Sequence, residues 1–376
     1  MTTTASKRLG VGIVGAGEVF QVCHGPCLFL MSHLFSIESV CDISRKNADF
    51  CAAKWHIPQA TTDPRAVFSN PSVDVVFVLT SDDSHTPLAV AALQAGKHVM
   101  LEKPVALSIP SAQQIIDAER ASPGRKRVFV GYMRRYAPSY LGAFKRELAT
   151  MPRISYARVR DFSGPNAYFV DGSGTFQAKN NDFPPNAGAE RDARLEDLFR
   201  QAFPGQEITD EHRRFCRFLG SLGSHDLSLL RETLGSPESI AGVSANDPFY
   251  STIMNYRNKD GTPFSVTYES GIDEIPIFDA HIAVYSARKR VWIQYDSPYV
   301  KGLPIKVHVE EVNDQGEPQK REILCSYKDA YTCELEQLHA CLVDGKEIKT
   351  SVTDALEDLK LFDMLYKKWQ SSRTDA

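Results

Sequence analysis

The sequence predicts an α/β protein of two domains, in which a parallel sheet covered by helices precedes a largely antiparallel sheet. Two observations support this prediction. Short apolar runs alternate with helical stretches over the first third of the chain, and runs rich in Val, Ile, Tyr and Thr dominate after about residue 150. A chain of 376 residues is long enough for two domains of roughly 150 residues each.

The first third has the alternation of strands and helices that is typical of a doubly wound sheet. The run from Val73 to Leu79 is apolar at nearly every position, as expected for a strand covered on both faces. The other strand-like runs lie at 9–14, 37–41, 99–101 and 128–130. Helices are predicted between these runs, at 20–30, 44–55, 84–95 and 111–121.

The composition excludes several classes of partner. With a net charge of −4 and a pI near 6.2, the chain has no electrostatic reason to bind nucleic acid or an anionic membrane. No apolar run approaches the ~20 residues that span a bilayer, and the polar N-terminus lacks a signal core. The eight cysteines form no metal-binding pattern. We expect a cytoplasmic protein without a metal, membrane or nucleic-acid partner.

A glycine motif follows the first predicted strand and begins a helix. Gly15 permits a tight turn, and Gly17 lets the backbone approach a pyrophosphate. Glu18 and Val19 then stand at the helix N-terminus, where N–H groups and the helix dipole favour phosphate. Phe20 replaces the third glycine of the motif, a position that controls helix–strand packing. The motif predicts a dinucleotide site.

Asp42, at the end of the second strand, bears on the choice of dinucleotide. An acidic side chain there accepts hydrogen bonds from the ribose hydroxyls of NAD and repels the extra phosphate of NADP. Arg45 and Lys46 follow closely and could bind that phosphate instead. We expect NAD as the cofactor, with NADP as the alternative.

Several segments together resemble the Gfo/Idh/MocA oxidoreductase family, which includes glucose–fructose oxidoreductases and inositol dehydrogenases. The segments are Thr80–His85, Leu101-Glu102-Lys103-Pro104, Gly131–Pro138 and the helix around Thr353–Leu356. The resemblance implies a Rossmann domain over residues 1–131. It also implies a substrate-binding and oligomerisation domain over residues 132–376, with an open, mostly antiparallel sheet and a last helix packed back on the first domain. It therefore implies a homo-oligomer.

The resemblance also implies roles for individual residues. Lys103 would lie near the nicotinamide and the reacting hydroxyl, beside Glu102 and before a cis peptide bond to Pro104. The side chains that would line the cofactor crevice are Thr80, Ser81 and His85. Asp83 stands where the family usually has Asn.

A second catalytic segment is implied by the resemblance of Ser221–Leu230 to the family pattern D-x-G-x-H-x-x-D-L-L. His225 matches the catalytic histidine, and imidazole can accept the hydroxyl proton of an alcohol near neutral pH. Ser221 and Ser228 replace both aspartates of the pattern. Asp226 is adjacent to His225, but neighbouring side chains on a helix point about 100° apart.

The polar connection from residue 163 to 214 lies outside the resemblance. It is interpreted either as a lid that excludes water and selects the substrate, or as a surface or oligomer loop. The residues expected to contact substrate are Tyr132, Arg160, Asp161, Asn166 and Ser221.

These features predict reversible hydride transfer between NAD(P) and a secondary alcohol of a sugar, inositol or related polyol. Two alternatives stay open. One is a non-catalytic dinucleotide sensor, because the family includes co-regulators with degenerate sites. The other is an NAD-dependent glycoside hydrolase that oxidises its substrate transiently.

Overall fold

The computed structural model describes residues 7–374, which form two compact units. Unit 1 comprises residues 7–132, 175–209 and 334–357, and unit 2 comprises residues 133–174, 210–333 and 358–374. Two stretches that the sequence analysis assigned to the second domain, 175–209 and 334–357, therefore pack with the N-terminal unit.

Unit 1 is built on a parallel sheet. Its strands are β1 (Leu9–Val14), β2 (Phe35–Cys41), β3 (Gln59–Thr61), β4 (Val75–Val78), β5 (His98–Glu102) and β6 (Val128–Gly131). The six strands lie in the order β3-β2-β1-β4-β5-β6, and each neighbouring pair is parallel. Every residue of β1 and β4 is buried, as the nearly continuous apolar pattern predicts. The prediction of a doubly wound parallel sheet is confirmed.

Unit 2 is built on an eight-stranded sheet. Its strands are β7 (Tyr156–Ser163), β8 (Ser239–Asn246), β9 (Phe249–Arg257), β10 (Pro263–Ile272), β11 (Phe278–Tyr285), β12 (Lys289–Tyr295), β13 (Lys306–Val312) and β14 (Pro318–Leu324). They lie in the order β14-β13-β12-β11-β7-β10-β9-β8. Within this sheet β10 pairs with β7 in parallel, and the other neighbouring pairs are antiparallel. The predicted open, mostly antiparallel sheet is confirmed.

The helices connect and cover the strands. They are α1 (Gly25–Leu30), α2 (Arg45–Trp55), α3 (Pro64–Phe68), α4 (His85–Gln94), α5 (Ile109–Ala121), α6 (Lys145–Ala149), α7 (Asn166–Asp171), α8 (Ala187–Ala202), α9 (Asp210–Phe218), α10 (Ser224–Leu234), α11 (Ala330–Val343) and α12 (Val352–Thr374). A π-helical turn directly precedes helix α1 (Val19–His24) and another directly precedes helix α10 (Leu219–Gly223). No helix among residues 7–374 has the length and apolar character that crossing a bilayer requires.

The connection over residues 163–214 contains helices α7 and α8 and the beginning of α9, rather than an irregular loop. On α8, Leu198 and Phe199 are buried, as is Phe203 just beyond it. This spacing presents one apolar face, which the polar composition of the connection conceals. The Ser108 hydroxyl, which caps α5, donates to Gln201 Oε1 at 2.6 Å. Helix α8 is thus part of the packed body of unit 1.

A buried ion pair in unit 2 connects β7 to α10. Arg134 donates to Asp161 Oδ2 at 2.9 Å and to Asp226 Oδ1, and all three side chains are at most 5% exposed. Burial, and then the neighbouring Asp161 carboxylate, raise the pKa of Asp226 well above its ordinary value. Burial and the Asp161 carboxylate thus favour the neutral form of Asp226. The cluster fixes the first turn of α10, which carries His225.

We predict that Phe199→Ala destabilises the protein by about 3–5 kcal/mol, because it removes a fully buried aromatic side chain from α8. Urea unfolding followed by circular dichroism would measure the loss. The control is Arg200→Ala, at an exposed position of the same helix, which should change stability by no more than about 0.5 kcal/mol. Equal small effects of the two substitutions would show that α8 is not part of the core.

The buried ion pair generates a second prediction. Asp161→Asn removes the fully buried carboxyl that bonds Arg134 and leaves only Asp226 beside the buried guanidinium, so it should destabilise the protein by about 3–5 kcal/mol. Asp226→Asn leaves the Arg134–Asp161 pair in place and, because burial favours the neutral form of Asp226, should cost less than about 1.5 kcal/mol. The same urea titration measures both variants. If Asp226→Asn were the more damaging change, Asp226 rather than Asp161 would be the main partner of Arg134.

Candidate active site

The glycine motif forms the turn between β1 and the first helix of unit 1. Gly15 has φ +100°, and a side chain there would lie 2.7 Å from the Leu79 carbonyl, so only glycine fits. No atom lies within 4 Å of the position that a Gly17 side chain would occupy, which leaves the backbone open to a ligand. Phe20 is completely buried and fills the core at the third motif position.

Asp42 joins the glycine turn to the beginning of α2. Its Oδ2 accepts a hydrogen bond from the Ala16 N–H at 2.8 Å, and its Oδ1 accepts one from the Ser44 N–H at 2.8 Å. Burial raises the pKa of Asp42, although the bonds from Ser44 and Ala16 oppose this effect. The Asn47 side chain also donates to this carboxylate, which still leaves a lone pair that a ribose hydroxyl could use.

Arg45 is exposed and forms an ion pair with Asp49 one turn along α2, with a distance of 2.8 Å between Nη2 and Oδ1. The Lys46 side chain is also exposed, but its backbone N–H donates to Asp182 Oδ2 at 3.1 Å. Asp182 belongs to the 175–182 segment of unit 1, a part of the chain that the sequence analysis did not connect with the dinucleotide site.

The turn after β4 contains the predicted crevice residues Thr80, Ser81 and His85. His85 is buried, with Nδ1 2.7 Å from the Pro104 carbonyl oxygen and Nε2 3.1 Å from that of Thr80. It thereby joins the ends of β4 and β5. Asp83, which replaces the usual Asn of the family, forms an ion pair of 2.8 Å with Arg194 of α8.

Lys103 directly follows β5 and is half-buried. The Lys103–Pro104 peptide bond is cis, as the resemblance implies. The Lys103 N–H donates to Glu102 Oε2 at 3.1 Å, and the other Glu102 oxygen lies 2.7 Å from Nε2 of the buried His24. Burial alone would raise the pKa of Glu102, but His24 and then the Lys103 charge lower it below its ordinary value. Glu102 is an ionised, buried support for the backbone that carries Lys103.

These residues of unit 1 fit a dinucleotide. The glycine turn, Asp42 and Lys103 all follow strands of a parallel sheet, whose carboxyl ends share one edge. Ligands of open α/β sheets bind at that edge. Glu18 and Val19 lie at the N-terminus of the helix after the glycine turn, as predicted.

In unit 2, His225 is half-buried on the first turn of α10. The Ser221 hydroxyl is exposed and donates to the Phe218 carbonyl at 3.3 Å, and the buried Ser228 hydroxyl donates to the His225 carbonyl at 3.2 Å. Both serines bond to the backbone of their own helix, as short hydroxyl side chains commonly do. The two positions that the family fills with carboxylates thus hold hydroxyls.

The structure separates the predicted substrate residues. Arg160 and Asp161 are consecutive on β7, so their side chains point to opposite faces of the sheet. Arg160 pairs with Glu269 and Asp279, whereas Asp161 is fully buried against Arg134. The two side chains therefore lie on opposite faces of the sheet, and a substrate contact by either stays a prediction.

The other three predicted substrate residues, which include the exposed Ser221, differ in exposure. Tyr132 is only 2% exposed, whereas Asn166 is exposed at the start of α7.

Comparison with known proteins agrees with the fold. Residues 9–132 match the Gfo/Idh/MocA family model, described as an oxidoreductase family with an NAD-binding Rossmann fold. The chain is 34% identical over 143 residues to an inositol 2-dehydrogenase from Paracoccus denitrificans (strain Pd 1222). The aligned residues are 38% of this chain and 41% of that enzyme. A second inositol 2-dehydrogenase, from Acidothermus cellulolyticus, is 33% identical over 148 residues, or 39% of this chain and 42% of the enzyme. The matched region thus spans about two-fifths of these relatives.

Solved structures resemble the chain over almost its whole length. Levoglucosan dehydrogenase in complex with NADH and levoglucosan has a TM-score of 0.72 at 15% identity and covers 97% of this chain and 98% of its own. A 3-ketoreductase from Actinomadura kijaniata in complex with TDP-benzene and NADP has a TM-score of 0.71 at 14% identity, covering 96% and 98%. These identities establish a shared fold. The NAD-binding Rossmann domain at residues 9–132 is similar to that of the Gfo/Idh/MocA oxidoreductase family.

Proposed function

We propose that the protein transfers hydride between a nicotinamide dinucleotide and a secondary alcohol of a sugar, inositol or related polyol. The observation that carries the proposal is Lys103, which follows β5 at the carboxyl edge of the parallel sheet, on a backbone supported by Glu102. A residue whose only task was structural would not need an ammonium group at this edge.

The proposed chemistry assigns one task to each of two side chains. A dinucleotide held by the glycine turn and Asp42 would supply a hydride acceptor for the alcohol carbon in the oxidative direction, and the hydroxyl proton would have to leave as the carbonyl forms. His225 accepts this proton. By the family resemblance, the Lys103 ammonium would stabilise the negative charge that develops on the substrate oxygen. Ser221 does not act as a base, because a hydroxyl is not ionised at neutral pH.

The relatives support the choice of substrate class. Two curated relatives are inositol 2-dehydrogenases, and one structural neighbour is a levoglucosan dehydrogenase. A panel of inositols, sugars and polyols, followed by NADH absorbance, tests the proposal. No turnover of any alcohol or of the corresponding ketones, in a protein that binds NAD, would contradict it.

Two outcomes of that panel would favour the alternatives. Binding of NAD without turnover would indicate a sensor, a reading that the hydroxyls at Ser221 and Ser228 favour. Release of free sugar from a glycoside without net formation of NADH would indicate a hydrolase.

We predict that Lys103→Met lowers kcat by about 100- to 1,000-fold, because the developing alkoxide loses its hydrogen-bond donor. The affinity for NAD, measured by calorimetry, should change by less than about threefold. The control is Lys259→Met, at an exposed position of the turn between β9 and β10, which should leave kcat unchanged. Full activity of Lys103→Met would exclude this residue from the reaction.

We also predict that His225→Asn lowers kcat by about 100- to 10,000-fold at neutral pH, because it removes the group that accepts the proton. The pH–rate profile should lose its lower ionisation, and activity should recover in part as hydroxide becomes abundant. His33→Asn, at an exposed position before β2, is the control. A variant that kept the wild-type pH profile would show that another group accepts the proton.

A further inference from the structure

We propose that Asp182 makes the dinucleotide site selective for NAD by occupying the place where the 2′-phosphate of NADP would bind. The inference rests on the proposed dinucleotide site of unit 1 and assigns it a specificity-determining residue. Asp182 lies 140 positions along the chain from Asp42, in a segment that no dinucleotide motif includes.

Asp182 occupies the hydrogen-bond donors at the N-terminus of α2. Its Oδ1 accepts a hydrogen bond from the Ser44 hydroxyl, and its Oδ2 accepts one from the Lys46 N–H at 3.1 Å. Ser44 is the N-cap of α2, where its hydroxyl oxygen also accepts from the Asn47 N–H at 3.0 Å. The bonds from Ser44 and Lys46 lower the pKa of Asp182, so the group is a carboxylate at neutral pH.

The segment that carries Asp182 is attached to the same part of unit 1 at further points. Ala178 and Gln21 exchange two hydrogen bonds, Ala178 N to Gln21 Oε1 at 2.8 Å and Gln21 Nε2 to Ala178 O at 3.0 Å. Asn180 donates from both its backbone N–H and its side chain to Asn47 Oδ1, at 3.1 and 2.9 Å. These contacts hold Asp182 in place over the start of α2.

The end of β2 is the place where Rossmann domains distinguish NAD from NADP. The residue at the end of β2 meets the ribose hydroxyls in Rossmann domains, and the 2′-phosphate of NADP requires positive charge nearby. Asp42 is that residue here, and the two carboxylates are close because both bond Ser44: Asp42 accepts from its N–H and Asp182 from its hydroxyl. Arg45, the obvious phosphate ligand, is already paired with Asp49.

The 2′-phosphate of NADP would therefore face two carboxylates, and the hydrogen-bond donors at the start of α2 would already be bonded to Asp182. A phosphate monoester carries about −1.5 to −2 charges at pH 7, so it would be repelled by Asp42 and Asp182 together. It would also find the Ser44 hydroxyl and the Lys46 N–H already bonded. The 2′-hydroxyl of NAD carries no charge and needs only an acceptor.

The test compares dissociation constants of NAD⁺ and NADP⁺, measured by calorimetry on the full chain. Asp182→Asn removes the charge, and Asp182→Ala also releases Ser44 and Lys46. Both should tighten NADP⁺ binding by about tenfold or more, with the larger gain in Asp182→Ala, while NAD⁺ affinity changes less than threefold. Because the effect is electrostatic and exposed, the gain should shrink at high salt. Asp314→Asn, in the exposed turn between β13 and β14, is the charge-matched control.

The outcomes separate this inference from the proposed function. If the wild type binds NAD⁺ but both variants keep its NADP⁺ affinity, Asp182 is only a helix cap and the inference is overturned. A wild type that prefers NADP⁺ would overturn it as well. If the wild type binds neither dinucleotide, the proposed function itself fails, and the selectivity assigned to Asp182 fails with it.

Discussion

The candidate dinucleotide site depends on the hydrogen bonds that the Asp42 carboxylate accepts. One oxygen binds the Ala16 N–H of the glycine turn and the other binds the Ser44 N–H at the start of α2. Two turns that follow different strands are thereby held at one edge of the sheet. The glycine backbone and the carboxylate itself then face a ligand as a single preorganised surface, which reduces the ordering that binding requires.

The reactive side chains are supported in a similar way, each within its own unit. Glu102 holds the backbone of Lys103 and is itself held by His24. In unit 2, Asp161 and Asp226 enclose Arg134 and fix the turn that carries His225. In both cases buried carboxyl groups order the backbone beside a half-buried reactive group.

Local patterns made much of the fold predictable, and non-local pairing accounts for the rest. Strands β1 and β4 are apolar throughout, and the glycine motif requires the backbone angle found at Gly15. In contrast, β3 is three residues long and β14 is mostly exposed and charged, so neither has an apolar pattern. The role of Asp182 depends on contacts 136 and 138 residues away, which no local spacing reveals. The opposite orientations of Arg160 and Asp161 were readable, since consecutive residues of a strand face opposite ways.

The assembly of unit 1 from three stretches of chain has a consequence for its synthesis. β6 is an edge strand, and its Val130 N–H is bonded by the Thr350 carbonyl, while Arg127 Nη1 binds the Cys341 carbonyl 214 residues away. When the ribosome has made the six strands, these groups still lack the chain that covers them. The nascent sheet therefore presents an open edge for most of translation, the condition under which strands pair with the wrong neighbour. Folding of the N-terminal unit can finish only when the chain is nearly complete.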